Sequence, residues 1–146
     1  MIFPVGDKPR ALPREYRRAD IFTKRESTAL TNLADRLAKD LLIHRVGGLR
    51  CEACGAVRNS GRGTIDRAHG FGKKARPALR WDRRNLVLLD RSCHEQYGRT
   101  HRIWLQWLQQ HIGPTAYEAL LETARHKRRS LTEIVVGLKA GKFSNE

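Results

Sequence analysis

Acidic residues are scarce in this chain. Its 146 residues set only 15 Asp and Glu against 29 Lys and Arg, leaving a formal net charge of +14 and an isoelectric point near 10.7. Such an excess repels itself in the folded state and is the footprint of a polyanionic partner. The composition predicts nucleic acid, with an anionic membrane surface a far weaker match. Long apolar runs are also missing. None reaches the ~18–20 residues needed to span a bilayer, so no membrane role is expected. Between Met1 and Arg18 there is no apolar stretch of the ~7–15 residues that a secretory signal requires, and a cytoplasmic location is expected. Cysteine is limited to three, two of them in a C-x-x-C pair. In a reducing compartment that odd number argues for a metal rather than a disulfide. No internal repeat is found, and the length leaves room for one domain, or for one small core plus a helical extension.

What is present divides the chain in three. Residues 1–25 carry Pro4, Pro9 and Pro13 among Arg and Lys without steady periodicity, and read either as an extended basic arm that orders on DNA or as a disordered tail. Residues 26–100 read as a helix followed by a compact segment that holds the chemistry, and residues 101–146 as a helical extension. The first helix is predicted over 27–46, where Leu30, Leu33, Leu37 and Leu41 recur at helical spacing with Ala34 on the same stripe. Ser27 or Thr28 is its expected cap and Gly47-Gly48 its stop. Asn59 to Gly63 reads as a polar loop, Thr64–His69 as a short strand, and Asn85–Leu89 as a buried returning strand before a helix that opens over 90–94. Ile103, Trp104, Trp107, Leu108 and Ile112 give a further helix over 100–112, which Gly113-Pro114 breaks. Tyr117, Leu120, Leu121 and Ala124 mark the next one. Ser130 and Glu133 have capping-box spacing ahead of Leu131, Ile134, Val135 and Leu138. Trp104 and Trp107 follow the helical period, which favours core over base-stacking platforms. The expected class is an α-rich α+β fold.

Cys51-Glu-Ala-Cys54-Gly has the form of a metal knuckle, with the glycine supplying the tight turn, and Cys93 adds a third thiolate from a later helix. Zinc takes four ligands in a tetrahedron. A second C-x-x-C would put the fourth at position 90, which is Asp. Three readings stand: a Cys3Asp site completed by Asp90, a site completed by His94, or a degraded site with weak zinc or none. Structural zinc can contribute on the order of 10 kcal/mol to folding.

Hydrolysis of a phosphodiester needs a base for the attacking water and a cation for the phosphate and the leaving oxygen. Asp66, His69, Asn85 and His94 are the polar residues of this segment able to converge on that task. His69 is the candidate base, while Asp66 and His94 are candidates to hold the cation. Arg67, Lys73, Lys74, Arg76, Arg80, Arg83 and Arg84 are candidates for flanking phosphates. Taken singly, each has a blander reading: His69 as a surface histidine, Asn85 as a turn former, His94 as a helix N-terminal residue. Their order between two half-knuckles raises them above it.

A C-x-x-C, a strand ending in His, then an Asn, then a C-terminal knuckle followed by His resembles the HNH pattern of ββα-metal nucleases. More closely, residues about 41–143 resemble the Rap/NinG recombination proteins of lambdoid phages. The matching segments are Cys51-Glu-Ala-Cys54-Gly, Asp66-Arg-Ala-His69-Gly-Phe71, Leu79-Arg-Trp-Asp-Arg-Arg-Asn85 and Ser92-Cys93-His94. The resemblance implies a treble-clef, zinc-stapled core and a phage-encoded endonuclease that cuts branched DNA, such as Holliday junctions and displacement loops, in recombination. It implies His69 as base, Asn85 as the central brace, His94 as cation ligand, and Cys51, Cys54 and Cys93 on zinc. The chain departs from the pattern at Asp90, where the family has its third Cys, and at Ala68, where many HNH enzymes have a metal-binding Asp. Asp66 matches an Asp of the Rap/NinG pattern and is assigned to the cation. One imidazole, one carboxylate and waters suit Mg²⁺ or Mn²⁺. Paired cuts on a junction require two sites, so a homodimer is expected. Two other functions share these features: a nicking or restriction-type HNH endonuclease on duplex DNA, and a non-catalytic, zinc-containing nucleic-acid binder.

Overall fold

The computed structural model describes residues 22–57 and 65–146. The predicted basic arm, apart from its last four residues, lies outside the described residues, as do the Asn59–Gly63 loop and Thr64. Among the described residues the chain folds as a helix-rich α+β structure with five α-helices and one two-stranded sheet.

Helix α1 runs Lys24–Val46, three residues ahead of the predicted start. The reason is a better cap upstream. Thr23 Oγ1 accepts from the Glu26 N–H at 3.1 Å, the Thr-x-x-Glu spacing of a capping box. Thr28 is not a cap; its hydroxyl donates back to the Lys24 carbonyl inside the helix. Gly47 closes the helix as predicted, at φ 91° in the left-handed region, with its N–H on the Ile43 carbonyl. The fully buried line of α1 is Ala34, Ala38 and Leu42, with Leu30, Leu33, Leu37 and Leu41 half-buried on its flanks. Small alanines at i and i+4 let another helix approach closely. That partner is α5 (Leu131–Lys139), whose buried face is Leu131, Ile134, Val135 and Leu138.

Strands β1 (Ile65–His69) and β2 (Leu86–Asp90) pair antiparallel, from Ile65 opposite Asp90 to His69 opposite Leu86. All five residues of β2 are buried, so both its faces are covered, which is why it reads as a continuous apolar run. The connection between the strands holds two short 3-10 turns, Pro77–Leu79 and Arg83–Asn85. Asn85 therefore ends a turn instead of beginning the strand.

Asp90 is the N-cap of α2 (Arg91–Arg99), which is followed by α3 (His101–Ile112) and α4 (Pro114–Thr123). Pro114 occupies the first turn of α4, and Ser130 Oγ accepts from the Glu133 N–H to cap α5, both as the sequence predicts. The apolar stripes are narrower than predicted. Ile103 is 53% exposed and Leu121 is at the surface, because α3 and α4 pack through Trp104, Leu108 and Leu120. Tyr97, Trp104, Trp107 and His111 form a column of rings, with Trp104 stacked on Trp107 at 5.3 Å and Trp107 on His111 at 4.6 Å. After α5 the chain returns to the strand connection: the Ser144 N–H meets the Trp81 carbonyl, and Asn145 Nδ2 donates to buried Asp82. No helix among the described residues is long and apolar enough to cross a membrane.

Candidate active site and metal centre

The knuckle is a small closed loop. The Cys51 N–H bonds the Ala56 carbonyl, the Gly55 N–H bonds the Cys51 carbonyl, and Gly55 turns the chain at φ 75°. Glu52, between the two cysteines, fastens the loop to β2: its carboxylate accepts from the Leu88 N–H at 2.7 Å, and its own N–H meets the Leu88 carbonyl. Arg83 and His111 contact the other carboxylate oxygen. Burial opposes the charge on Glu52, but His111, the Leu88 N–H and Arg83 outweigh it and hold its pKa below the usual range.

This anchoring delivers Cys51 and Cys54 to Cys93 in the first turn of α2. The three sulfurs lie within 4.8 Å of one another, a cluster able to hold a metal ion. Tetrahedral thiolates about 2.3 Å from zinc sit about 3.8 Å apart, so only a small contraction is needed. Burial favours the neutral thiol at Cys51, yet the backbone N–H groups of Cys54, Asp90 and Ala53 bring its pKa below its ordinary value. Cys93, desolvated and beside two other sulfurs, is pushed up to about 12. Asp90 does not join the cluster. Its carboxylate accepts from the Ser92 N–H and Ser92 Oγ, because an aspartate one position before a helix is best used on the orphan N–H groups. His94 turns the other way, toward Asp66. The clustered ligand atoms are the three sulfurs, without the Asp90 carboxylate or the His94 ring, although the Asp90 N–H reaches the Cys51 sulfur.

His69 ends β1 and lines a cavity of about 260 Å³ together with His94, Tyr97, His101 and Trp104. Its Nε2 is 3.1 Å from the Arg80 carbonyl oxygen. A carbonyl only accepts, so this contact puts the imidazole proton on Nε2 and leaves a lone pair on Nδ1. Burial, with Arg67 and Lys73 adding to it, lowers the His69 pKa to about 4, so the ring is neutral at pH 7. The next residue is clamped from three sides. The Gly70 N–H bonds the Asn85 carbonyl, the Gly70 carbonyl accepts from Trp104 Nε1 at 2.8 Å, and a Cβ at Gly70 would lie 2.4 Å from Leu108 Cδ2. Asn85, fully buried, accepts from the Phe71 N–H at 2.6 Å and donates to the Phe71 and Leu79 carbonyls. It ties both ends of the strand connection together beneath His69.

Asp66 and His94 meet across β1 and α2, with Asp66 Oδ2 3.1 Å from His94 Nδ1. In the structure this contact is a hydrogen bond. Its two groups, one carboxylate and one imidazole, are donors of the kind that Mn²⁺, and less readily Mg²⁺, accepts.

The predicted phosphate-binding residues divide. Arg67 and Arg80 both pair with Asp35 of α1, Arg83 with Glu52, and Arg84 with Asp82. These four hold the fold together. Lys73, Lys74 and Arg76 are exposed on the connection between the strands. Sequence reasoning missed Asp35, which also accepts from Trp81 Nε1 at 2.9 Å, and it missed His101 and Tyr97 in the cavity. Nothing near Asp35 in the sequence marks it, since its partners lie 32 and more residues away. Comparison with protein-family models, with curated proteins and with solved structures finds no match to this chain.

Proposed function

We propose that this chain is a metal-dependent DNA endonuclease of the HNH type, with a zinc-stapled, treble-clef-like core. The observation that carries the reading is His69, with Nε2 on the Arg80 carbonyl, sharing one cavity with His94, which is itself paired to Asp66. In this reading His69 Nδ1 takes the proton of the attacking water, as the Arg80 carbonyl fixes the ring and favours the imidazolium that forms. Asn85 and Trp104 hold the His69–Gly70–Phe71 turn so that the base does not drift. Asp66 and His94 hold the cation; when bound, Mg²⁺ or Mn²⁺ would offset charge on the phosphate and on the leaving 3′ oxygen. Cys51, Cys54 and Cys93 would hold zinc, which pins the start of α2, and with it His94, to the knuckle. The net charge of +14 supports a polyanionic substrate.

The resemblance to Rap/NinG proteins selects branched DNA as the substrate, in phage recombination, with a homodimer supplying the two cuts. The test is cleavage of a labelled four-way junction beside matched linear duplex in Mg²⁺, in Mn²⁺ and in EDTA, with wild type and His69→Ala. Metal-dependent cutting of the junction alone, lost in the variant while binding persists, is the expected result. Equal cutting of both substrates would move the assignment to a duplex-acting HNH enzyme. Binding without cutting in any metal would leave a zinc-containing DNA binder.

A further inference from the structure

A second groove opens on the opposite side of the Asp66–His94 pair. It is an open depression of about 480 Å³ between α1 and the hairpin, with Asn32, Asp35, Arg36 and Lys39 on the α1 wall and Asp66, Arg67 and His94 facing them. Asn32, Arg36 and Lys39 stand at i, i+4 and i+7, so they form one stripe along about 10 Å of helix. Among the described residues none of the three has a hydrogen-bond or ion-pair partner for its side chain. That contrasts with Arg80, Arg83 and Arg84 of the strand connection and Arg67 of β1, which are tied to carboxylates, and matches Lys73, Lys74 and Arg76, which are exposed on the same connection. The wall is also fixed in place. Asp35, one residue from Arg36, receives Arg80 at 2.8 Å and Trp81 at 2.9 Å and is paired to Arg67, which locks this turn of α1 to the hairpin. Asp35 is matched by two guanidinium groups and Asp66 has Arg91 at 3.5 Å, so Arg36 and Lys39 leave the groove net positive.

We propose that the Asn32–Arg36–Lys39 face of α1 is a phosphate-binding wall that seats the backbone of the DNA strand beside the Asp66–His94 pair. The assignment rests on the endonuclease reading for the identity of the strand, but the wall itself is a binding site whose action does not require cutting. Arg36 and Lys39 contact phosphate oxygens, and Asn32 donates to a phosphate or sugar oxygen. The strand then runs along the groove from α1 across His94 toward His69. Lys73, Lys74 and Arg76 remain exposed candidates on the strand connection, and this helix adds a second set of cations to them.

The experiment measures binding of a linear duplex by the zinc-loaded protein, with no Mg²⁺ or Mn²⁺ added, across a salt series, for wild type, for Arg36→Gln with Lys39→Gln, and for a control with the same change in charge at Arg125 and Lys127, which line no part of the groove. Loss of two phosphate contacts lowers the slope of log K against log salt by about 1.8 and weakens binding about tenfold. The expected result is that change in the groove variant and a much smaller one in the control, with thermal melting unaltered in both. The charge-conserving Arg36→Lys should keep the wild-type slope. Equal effects in groove variant and control would overturn the proposal, since the charge would then act globally, and so would an unchanged slope in the groove variant. Wild-type cutting in Mg²⁺ is scored separately. If it fails while the slope change holds, the wall stands and the endonuclease reading falls.

Discussion

Asn85 has its two amide hydrogens on the carbonyls of Phe71 and Leu79, and its oxygen accepts from the Phe71 N–H. Replacing it by alanine takes the partner from the part-buried N–H and carbonyl of Phe71, at about 1 kcal/mol or more for each, while the Leu79 carbonyl keeps the Asp82 N–H. Asn85→Ala should therefore lower stability by about 2–4 kcal/mol, read as a fall in the denaturation midpoint, and it should abolish cleavage by freeing the turn that carries His69. Retention of wild-type stability would mean that water replaces the amide without loss. The sequence singles out Asn85 as a brace only through a family likeness; by composition it is a turn former. What makes it a brace is the return of the chain over 14 residues, which spacing alone does not encode. Asp90 teaches the reverse lesson. Its register suggests a metal ligand, yet an aspartate just before a helix meets unpaired N–H groups at once, and that nearer demand prevails.

At the scale of elements, helices that carry their own apolar period were legible. The bounds of α3, the break at Pro114 and the cap at Ser130 all follow from local rules. The start of α1 was missed because Thr23 precedes the apolar stripe, which begins at Leu30, by nearly two turns and lies within a stretch read as an arm. The joint between α1 and the hairpin was not legible at all, since it is made by one carboxylate and two distant arginines. Asp35→Asn should loosen it. The substitution removes the charge that matches Arg67 and Arg80, both less than a quarter exposed, and should cost about 2–3 kcal/mol. Thermal unfolding against a salt series checks this; a melting temperature equal to wild type would assign α1's position to apolar packing alone. The knuckle makes a parallel prediction. Purified protein should carry about one zinc per chain by elemental analysis, and Cys93→Ser should lower that content and destabilise α2. Undiminished zinc in the variant would exclude the three-sulfur centre.

Considered whole, the molecule has a formal net charge of +14, and its pH response follows from the few groups that are perturbed. The native carboxylates of Asp35 and Glu52 are held below their usual range, so their stabilisation is present above their unfolded values and is lost as pH falls through the folded ones. His69 acts in the same direction. With a native pKa of about 4 against 6.5 in the unfolded chain, it lets the unfolded state gain a proton first as pH drops between those values. In EDTA the melting temperature should hold near neutrality, begin to fall below about pH 6.5, and fall further as the carboxylates protonate. A melting temperature flat down to pH 4 would remove the buried neutral His69. The column of Tyr97, Trp104, Trp107 and His111 links this response to light. Tyr97 lies within electrostatic reach of all three cysteines, Trp104 grips the carbonyl beside His69, and two of the chain's three tryptophans lie within the column. Rings fixed in so asymmetric a stack couple their transitions, so the near-ultraviolet circular dichroism of the protein is an intrinsic gauge of both ends of the stack, responsive to the sulfurs at one and to the seating of His69 at the other.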